Sequence, residues 1–196
     1  MRSPRYLLRL MTTVAGLSLS GSLAADTPAP PRSYTQVAGN YLFVMLAEGA
    51  APLHSSTGHA YPSSGLYNND GSVRPIWTVE WYAFEVYVSP DGRHLVEMGP
   101  WPTMKGQTRD LSVRALAFYE DGRPLKEYDI GDLVQTPDIL PQSASHFQWK
   151  KQVIFDGVAG RLAVRTLDGQ TYKFDVATGV ILEQHLETPK ESPGNE

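Results

Sequence analysis

Asp-Gly recurs along this chain between short apolar runs, at Asp70-Gly71, Asp91-Gly92, Asp121-Gly122, Asp156-Gly157 and Asp168-Gly169. Both residue types tolerate the positive φ of tight hairpin turns, so each pair flanked by apolar runs predicts two antiparallel strands. The flanks agree. Phe84–Val88 precedes Asp91 and His94–Met98 follows it; Val113–Tyr119 precedes Asp121 and Leu125–Ile130 follows it. Around Asp168, Leu162 and Val164 alternate with Ala163 and Arg165, and Tyr172 and Phe174 with Lys173 and Asp175. Period-two alternation marks strands with one wet face. Helix signals are confined to a single turn near residues 131–135, and the aromatic and branched residues of Tyr41–Ala47 favour a strand.

Two stretches share this rhythm, residues 84–134 and 146–184. Each predicts a four-stranded antiparallel meander. The expected fold class is therefore all-β: two antiparallel four-stranded meanders packed as a sandwich or truncated propeller-like domain, with an N-terminal strand from Tyr41 joining or capping one sheet. From Ile76 to Val88 the apolar parity changes. Trp77, Val79 and Trp81 share one face and Phe84, Val86 and Val88 the other, which predicts a bulge or bend near Tyr82-Ala83.

The N-terminus reads as a secretory signal. Arg2, Arg5 and Arg9 precede a short apolar stretch, Leu10–Leu19, and Ser22-Leu23-Ala24 offers small residues for cleavage after Ala24. The apolar stretch falls short of the about 20 residues a membrane span needs. The expected organisation is a signal peptide over 1–24, a flexible Pro-rich leader over 25–33, one β domain over 34–186 and a disordered tail over 187–196. The product is expected to be periplasmic or secreted, without membrane insertion after cleavage.

Composition limits the chemistry. With Cys 0, the chain has no disulfide framework, thiolate nucleophile or zinc–thiolate site. The net charge of −4 becomes more negative without the three signal-segment arginines, which argues against nucleic acid as a partner. His54 and His59 lie five apart in a Ser/Gly-rich loop, a spacing that suits neither helix nor strand ligation. Asn68–Ser72 lacks the glycine and terminal glutamate of an EF-hand loop, so Asp70-Gly71 is read as a turn. No metal or cofactor is implied. No Gly-x-Ser-x-Gly elbow or phosphate-cradling loop is present.

In the second stretch, Leu162-Ala163-Val164, Asp168-Gly169, Tyr172–Asp175 and Thr178-Gly179 resemble a blade of quinoprotein-type β-propellers. The blade-like segment Ser89-Pro90-Asp91-Gly92-Arg93-His94-Leu95 is similar to strand-turn-strand units of other propeller families. The resemblance implies a strand layout and transfers no cofactor, because the chain has room for two or three blades and lacks the repeated Trp and Gly positions of quinoprotein blades. Ser64–Tyr67, Asn69–Ser72, Trp77–Tyr82, Leu116–Tyr119 and Ser145–Trp149 resemble exported bacterial proteins of unknown function, a group that implies no activity.

The densest aromatic region runs from Tyr61 to Trp101. Trp and Tyr pair a large apolar face with a polar tip, which suits sugar stacking and protein interfaces. Strand parity sends Trp77 and Trp81 to the core and Tyr87 outward beside Glu85. Trp101, between Gly99-Pro100 and Pro102, falls in a rigid loop where a large ring is hard to bury. The candidate binding residues are Tyr82, Tyr87 and Trp101, with a protein or a glycan as the partner. The favoured function is an exported, non-enzymatic binding or interaction module. The alternative is a cell-envelope hydrolase using paired carboxylates among Glu80, Glu85 and Glu97.

Overall fold

The computed structural model describes residues 29–187. The expected signal peptide, leader residues 25–28 and tail residues 188–196 lie outside the described residues.

Strands β1 (Tyr34–Ala38), β2 (Tyr41–Met45), β3 (Gly65–Asn68) and β4 (Trp77–Thr78) form a first antiparallel sheet in sequence order. The second sheet holds β5 (Val86–Val88), β6 (His94–Met98), β9 (Arg114–Glu120) and β10 (Arg123–Asp129). A small hairpin, β7 (Met104–Lys105) and β8 (Thr108–Arg109), is inserted between its second and third strands. The third sheet is the meander β11 (Lys150–Asp156), β12 (Arg161–Thr166), β13 (Gln170–Asp175) and β14 (Ile181–Leu186). A one-turn helix, α1 (Ile130–Leu133), follows β10.

Both expected meanders are present. The N-terminal segment, expected to add one strand, instead builds a third four-stranded sheet. The parity change between Trp77 and Val88 also has a different origin from a bulge. The chain leaves the first sheet after Thr78 and enters the second at Val86, so the two apolar sets belong to different sheets.

The sheets stack face on face with the second in the middle. Its Leu95, Ala117 and Tyr119 pack with Phe43, Met45 and Leu66 of the first sheet. On the other side, Val96, Leu116 and Phe118 pack with Leu162, Val164 and Phe174 of the third. A strand covered on both faces must be apolar at both parities, which is why Ala115–Tyr119 is a continuous run and not an alternation. The outer faces end the stack differently. The first sheet's Val44 and Tyr67 are covered by Tyr61 and Leu53 of the 46–64 loop. The third sheet's outer face is charged, with Lys173 paired to Glu183 at 2.7 Å and Arg161 to Asp175 at 2.6 Å.

In each meander the turns after strands one and three lie at one end of the stack, and the other connections at the opposite end. At the first end the turns pack closely on the neighbouring sheets. Trp77 donates its indole N–H to the Gly92 carbonyl at 2.9 Å. Gly122, at φ 77°, passes so close to the first sheet that a Cβ there would lie 2.7 Å from the Thr78 carbonyl oxygen. Gly179 repeats the contact one sheet later: at φ 70°, its Cβ would lie 2.6 Å from Lys126 Cβ. Only glycine meets both demands at these points. The opposite end carries the long connections 46–64, 79–85, 99–113 and 130–149. Loops on a rigid scaffold are where binding residues concentrate.

Candidate functional site

At the long-loop end, between the second and third sheets, opens a cleft of about 400 Å³. Three connections wall it: Phe84 and Glu85 ahead of β5, Gly99–Pro102 after β6, and Pro141–Lys150 leading into β11. Pro100 and Pro102 fix φ on either side of Trp101, and neither can donate a backbone hydrogen bond. The loops are clipped together. Phe147 N–H donates to the Pro102 carbonyl at 3.2 Å, Gln148 N–H to the Pro141 carbonyl at 2.9 Å, and Thr103 bridges His146.

On this frame Trp101 is 49% exposed, with the His146 ring edge-on at 5.5 Å between centroids. Phe84 is 47% exposed and packs edge-to-face with Tyr82 at 5.2 Å. Phe147 and Trp149, also in the lining, are buried. The charged group of the cleft is an ion pair, Lys150 Nζ to Glu85 Oε2 at 2.6 Å. The other oxygen of Glu85 accepts a short hydrogen bond from the Tyr87 hydroxyl. Burial alone would raise the Glu85 pKa, but the hydrogen bonds from Lys150 and Tyr87 and the ammonium charge outweigh it and hold the carboxyl below its ordinary range. Burial, and then the adjacent carboxylate, push the Tyr87 hydroxyl well above its ordinary value.

The structure separates the three expected binding residues. Trp101 lines the cleft. Tyr87 is half-buried; its ring packs on Phe155 at 5.3 Å and its hydroxyl fixes Glu85, so it reaches the cleft through that carboxylate. The Tyr82 hydroxyl accepts from the Arg32 N–H at 3.0 Å and donates to the Arg32 carbonyl at 3.1 Å, tying the start of the described chain beside Phe84. Sequence reasoning missed Phe84, Trp149 and Lys150 as cleft residues. The available signal was the second aromatic cluster, Phe147-x-Trp149, set behind Pro141 as Trp101 is set between its own prolines.

A larger, more open cleft of about 890 Å³ lies between β4, the 79–85 connection and β10. Trp81 lines it, only half-buried, with its ring 5.0 Å from that of Tyr119. Glu97 is buried beside it, accepting from the Tyr119 hydroxyl at 2.6 Å and paired with Arg114 at 3.2 Å. Arg114 also reaches Glu127 at 3.1 Å. Of the three carboxylates considered from sequence, Glu85 thus belongs to the first cleft, and Glu80 lines the second with the partners of Glu97. His59 Nδ1 meets Thr57 Oγ1 at 3.3 Å, and Asp70 accepts from the Ser72 N–H at 2.9 Å in a local turn. Among the described residues, no three potential metal ligands converge.

No protein-family model matches this chain, and no curated protein matches it in sequence.

Proposed function

We propose that this protein is an exported binding module whose contact site is the cleft walled by Trp101 and Phe84. The observation that carries the reading is the pair of half-exposed aromatic rings on a proline-braced, hydrogen-bonded frame. Rings held in place before binding lose little entropy on contact, which is why such side chains dominate binding hot spots. Tyr87 serves this site as a positioning residue for Glu85, and Tyr82 as a support for Phe84.

The state of Glu85 favours binding over hydrolysis. A glycosidase acid needs a raised pKa and a free proton-bearing oxygen. Glu85 has a lowered pKa and both oxygens engaged. The test is a titration of the exported protein and its Trp101→Ala variant with a panel of oligosaccharides and peptides, read by intrinsic fluorescence. Mass spectrometry of the recovered oligosaccharides runs in parallel. Binding that Trp101→Ala weakens about tenfold or more, with ligands recovered intact, is the expected result. Cleaved products whose formation requires Glu85 would overturn it.

A further inference from the structure

The edge of a sheet presents unpaired backbone N–H and C=O groups, and proteins blunt such edges with charged side chains, lysine above all, and with proline. Two edge strands here are blunted in that way: β10 carries Arg123, Pro124 and Lys126, and β11 carries Lys150 and Lys151. β14 is an edge strand too, paired among the described residues with β13 alone, and its run Ile181–Leu186 contains no lysine, arginine or proline. It presents two exposed leucines instead, Leu182 at 48% and Leu186 at 65%.

The order of residues along this edge is self-complementary. Glu187 donates its N–H to the Gly169 carbonyl at 2.8 Å, so by antiparallel alternation His185 and Glu183 also turn their backbone groups to β13, opposite Thr171 and Lys173. The N–H and C=O of Gln184 and Leu186 therefore point to the free side. A second β14 laid antiparallel about a two-fold axis at Gln184 sets Gln184 opposite Gln184, Leu182 opposite Leu186 and Glu183 opposite His185. Amide meets amide, apolar meets apolar and acid meets imidazole, the pairs that stabilise neighbouring strands. Centring the axis on Glu183 would oppose two glutamates, and centring it on His185 would oppose Glu183 to Glu187. Both of those registers would also call on backbone groups already bonded to β13. We propose that β14 is the surface through which this chain pairs with a second copy of itself, joining two third sheets into one continuous antiparallel sheet. None of the residues of β14 lines the Trp101 cleft, so the contact stands apart from that site.

Sedimentation equilibrium of the full exported chain from about 10 μM to about 1 mM tests the proposal. The wild type shows a reversible monomer–dimer equilibrium within that range. His185→Lys, which sets an ammonium against Glu183 of the other copy, tightens the dimer severalfold, and His185→Glu, which sets two glutamates together, loosens it severalfold. Leu186→Lys loosens it about tenfold or more, and all three variants keep the melting temperature of the wild-type monomer. In a sample mixed from ¹³C-labelled and unlabelled chains, an isotope-filtered NOE joins the Hα protons of Glu183 and His185 from different copies, which approach most closely in this register. A chain that stays monomeric throughout the range would overturn the proposal. So would a dimer indifferent to the three variants, or one without the Glu183–His185 contact between copies.

Discussion

The two ends of the sheet stack are built on opposite terms. At one end the chain turns on glycines packed too closely for a side chain: Gly122 on the Thr78 backbone and Gly179 on the Lys126 and Phe118 side chains. At the other end the connections are long and proline-braced, and they leave Phe84 and Trp101 half in water. The same three sheets support both. The difference teaches that the scaffold is closed by its short turns and that its capacity for contact lies with its long ones.

The largest expected effect comes from the packing common to both ends. Phe174 is fully buried between the second and third sheets, touching Phe118 and Tyr128. Phe174→Ala should cost about 3–5 kcal/mol in denaturant unfolding, as cavity-forming core truncations do. A cost under 1 kcal/mol would mean that these sheets do not share a core.

Next comes the close-packed end. Gly122→Ala places a Cβ against the Thr78 carbonyl at a positive φ, and should cost about 2–4 kcal/mol by thermal or chemical unfolding. An unchanged midpoint would show that the turn has room to move and that this end is not close-packed.

The long-loop end also holds a buried carboxylate clamp. Asp168, in the β12–β13 turn, accepts from the Gln135 N–H at 2.6 Å, the Thr136 N–H at 2.9 Å and the Thr166 hydroxyl. It ties the third sheet to the 130–149 connection that walls the cleft. Burial alone would raise its pKa, but the hydrogen bonds from Thr166, Thr136 and Gln135 hold it below the ordinary 3.8. A depressed folded pKa contributes stability above the unfolded value and loses it as pH falls through the folded one. Wild type should therefore exceed Asp168→Asn by about 1.5–3 kcal/mol at neutral pH, with the gap closing as pH falls below the ordinary 3.8. A gap independent of pH would contradict the clamp.

The smallest effects are expected at the wet surfaces. Lys173→Ala, on the charged outer face, should stay within about 0.5 kcal/mol and Trp101→Ala within about 1 kcal/mol. Tyr87→Ala should cost more than either, because its ring packs on Phe155 and its hydroxyl holds Glu85. Parity alone, which placed Tyr87 outward, did not show those partners.

The third sheet was the most legible in the sequence. Its central strands β12 and β13 are each wet on one face, so alternation, Asp168-Gly169 and the inward Tyr172 and Phe174 all point the same way. The middle sheet was legible in its hairpins. Its continuous run Ala115–Tyr119 signalled a strand, but its meaning as a two-sided layer required the sheet packed on its far face. The first sheet was the least legible. Its β4 is only Trp77–Thr78, and the 46–64 loop separates β2 from β3, so no short hairpin joins its later strands. Of the cleft, Trp101 was readable because prolines on both sides keep a large ring from burial. Phe84 was not readable, because its exposure follows from its place in the crossover between sheets. The Lys150–Glu85 pair joins residues that only the stacking of two sheets brings together.

The central claim, that contact belongs to the cleft of Trp101 and Phe84, is tested most directly by the indole N–H resonances of the four tryptophans in ¹H–¹⁵N spectra, recorded during titration with the panel of oligosaccharides and peptides. Trp77 reports the close-packed end, Trp81 the second cleft, and Trp101 and Trp149 the first cleft. The account predicts that a ligand found in the panel shifts Trp101 and Trp149 while Trp77 and Trp81 stay in place. Shifts at Trp77 or Trp81 with Trp101 and Trp149 unmoved, or no shift with any member of the panel at millimolar concentration, would contradict it.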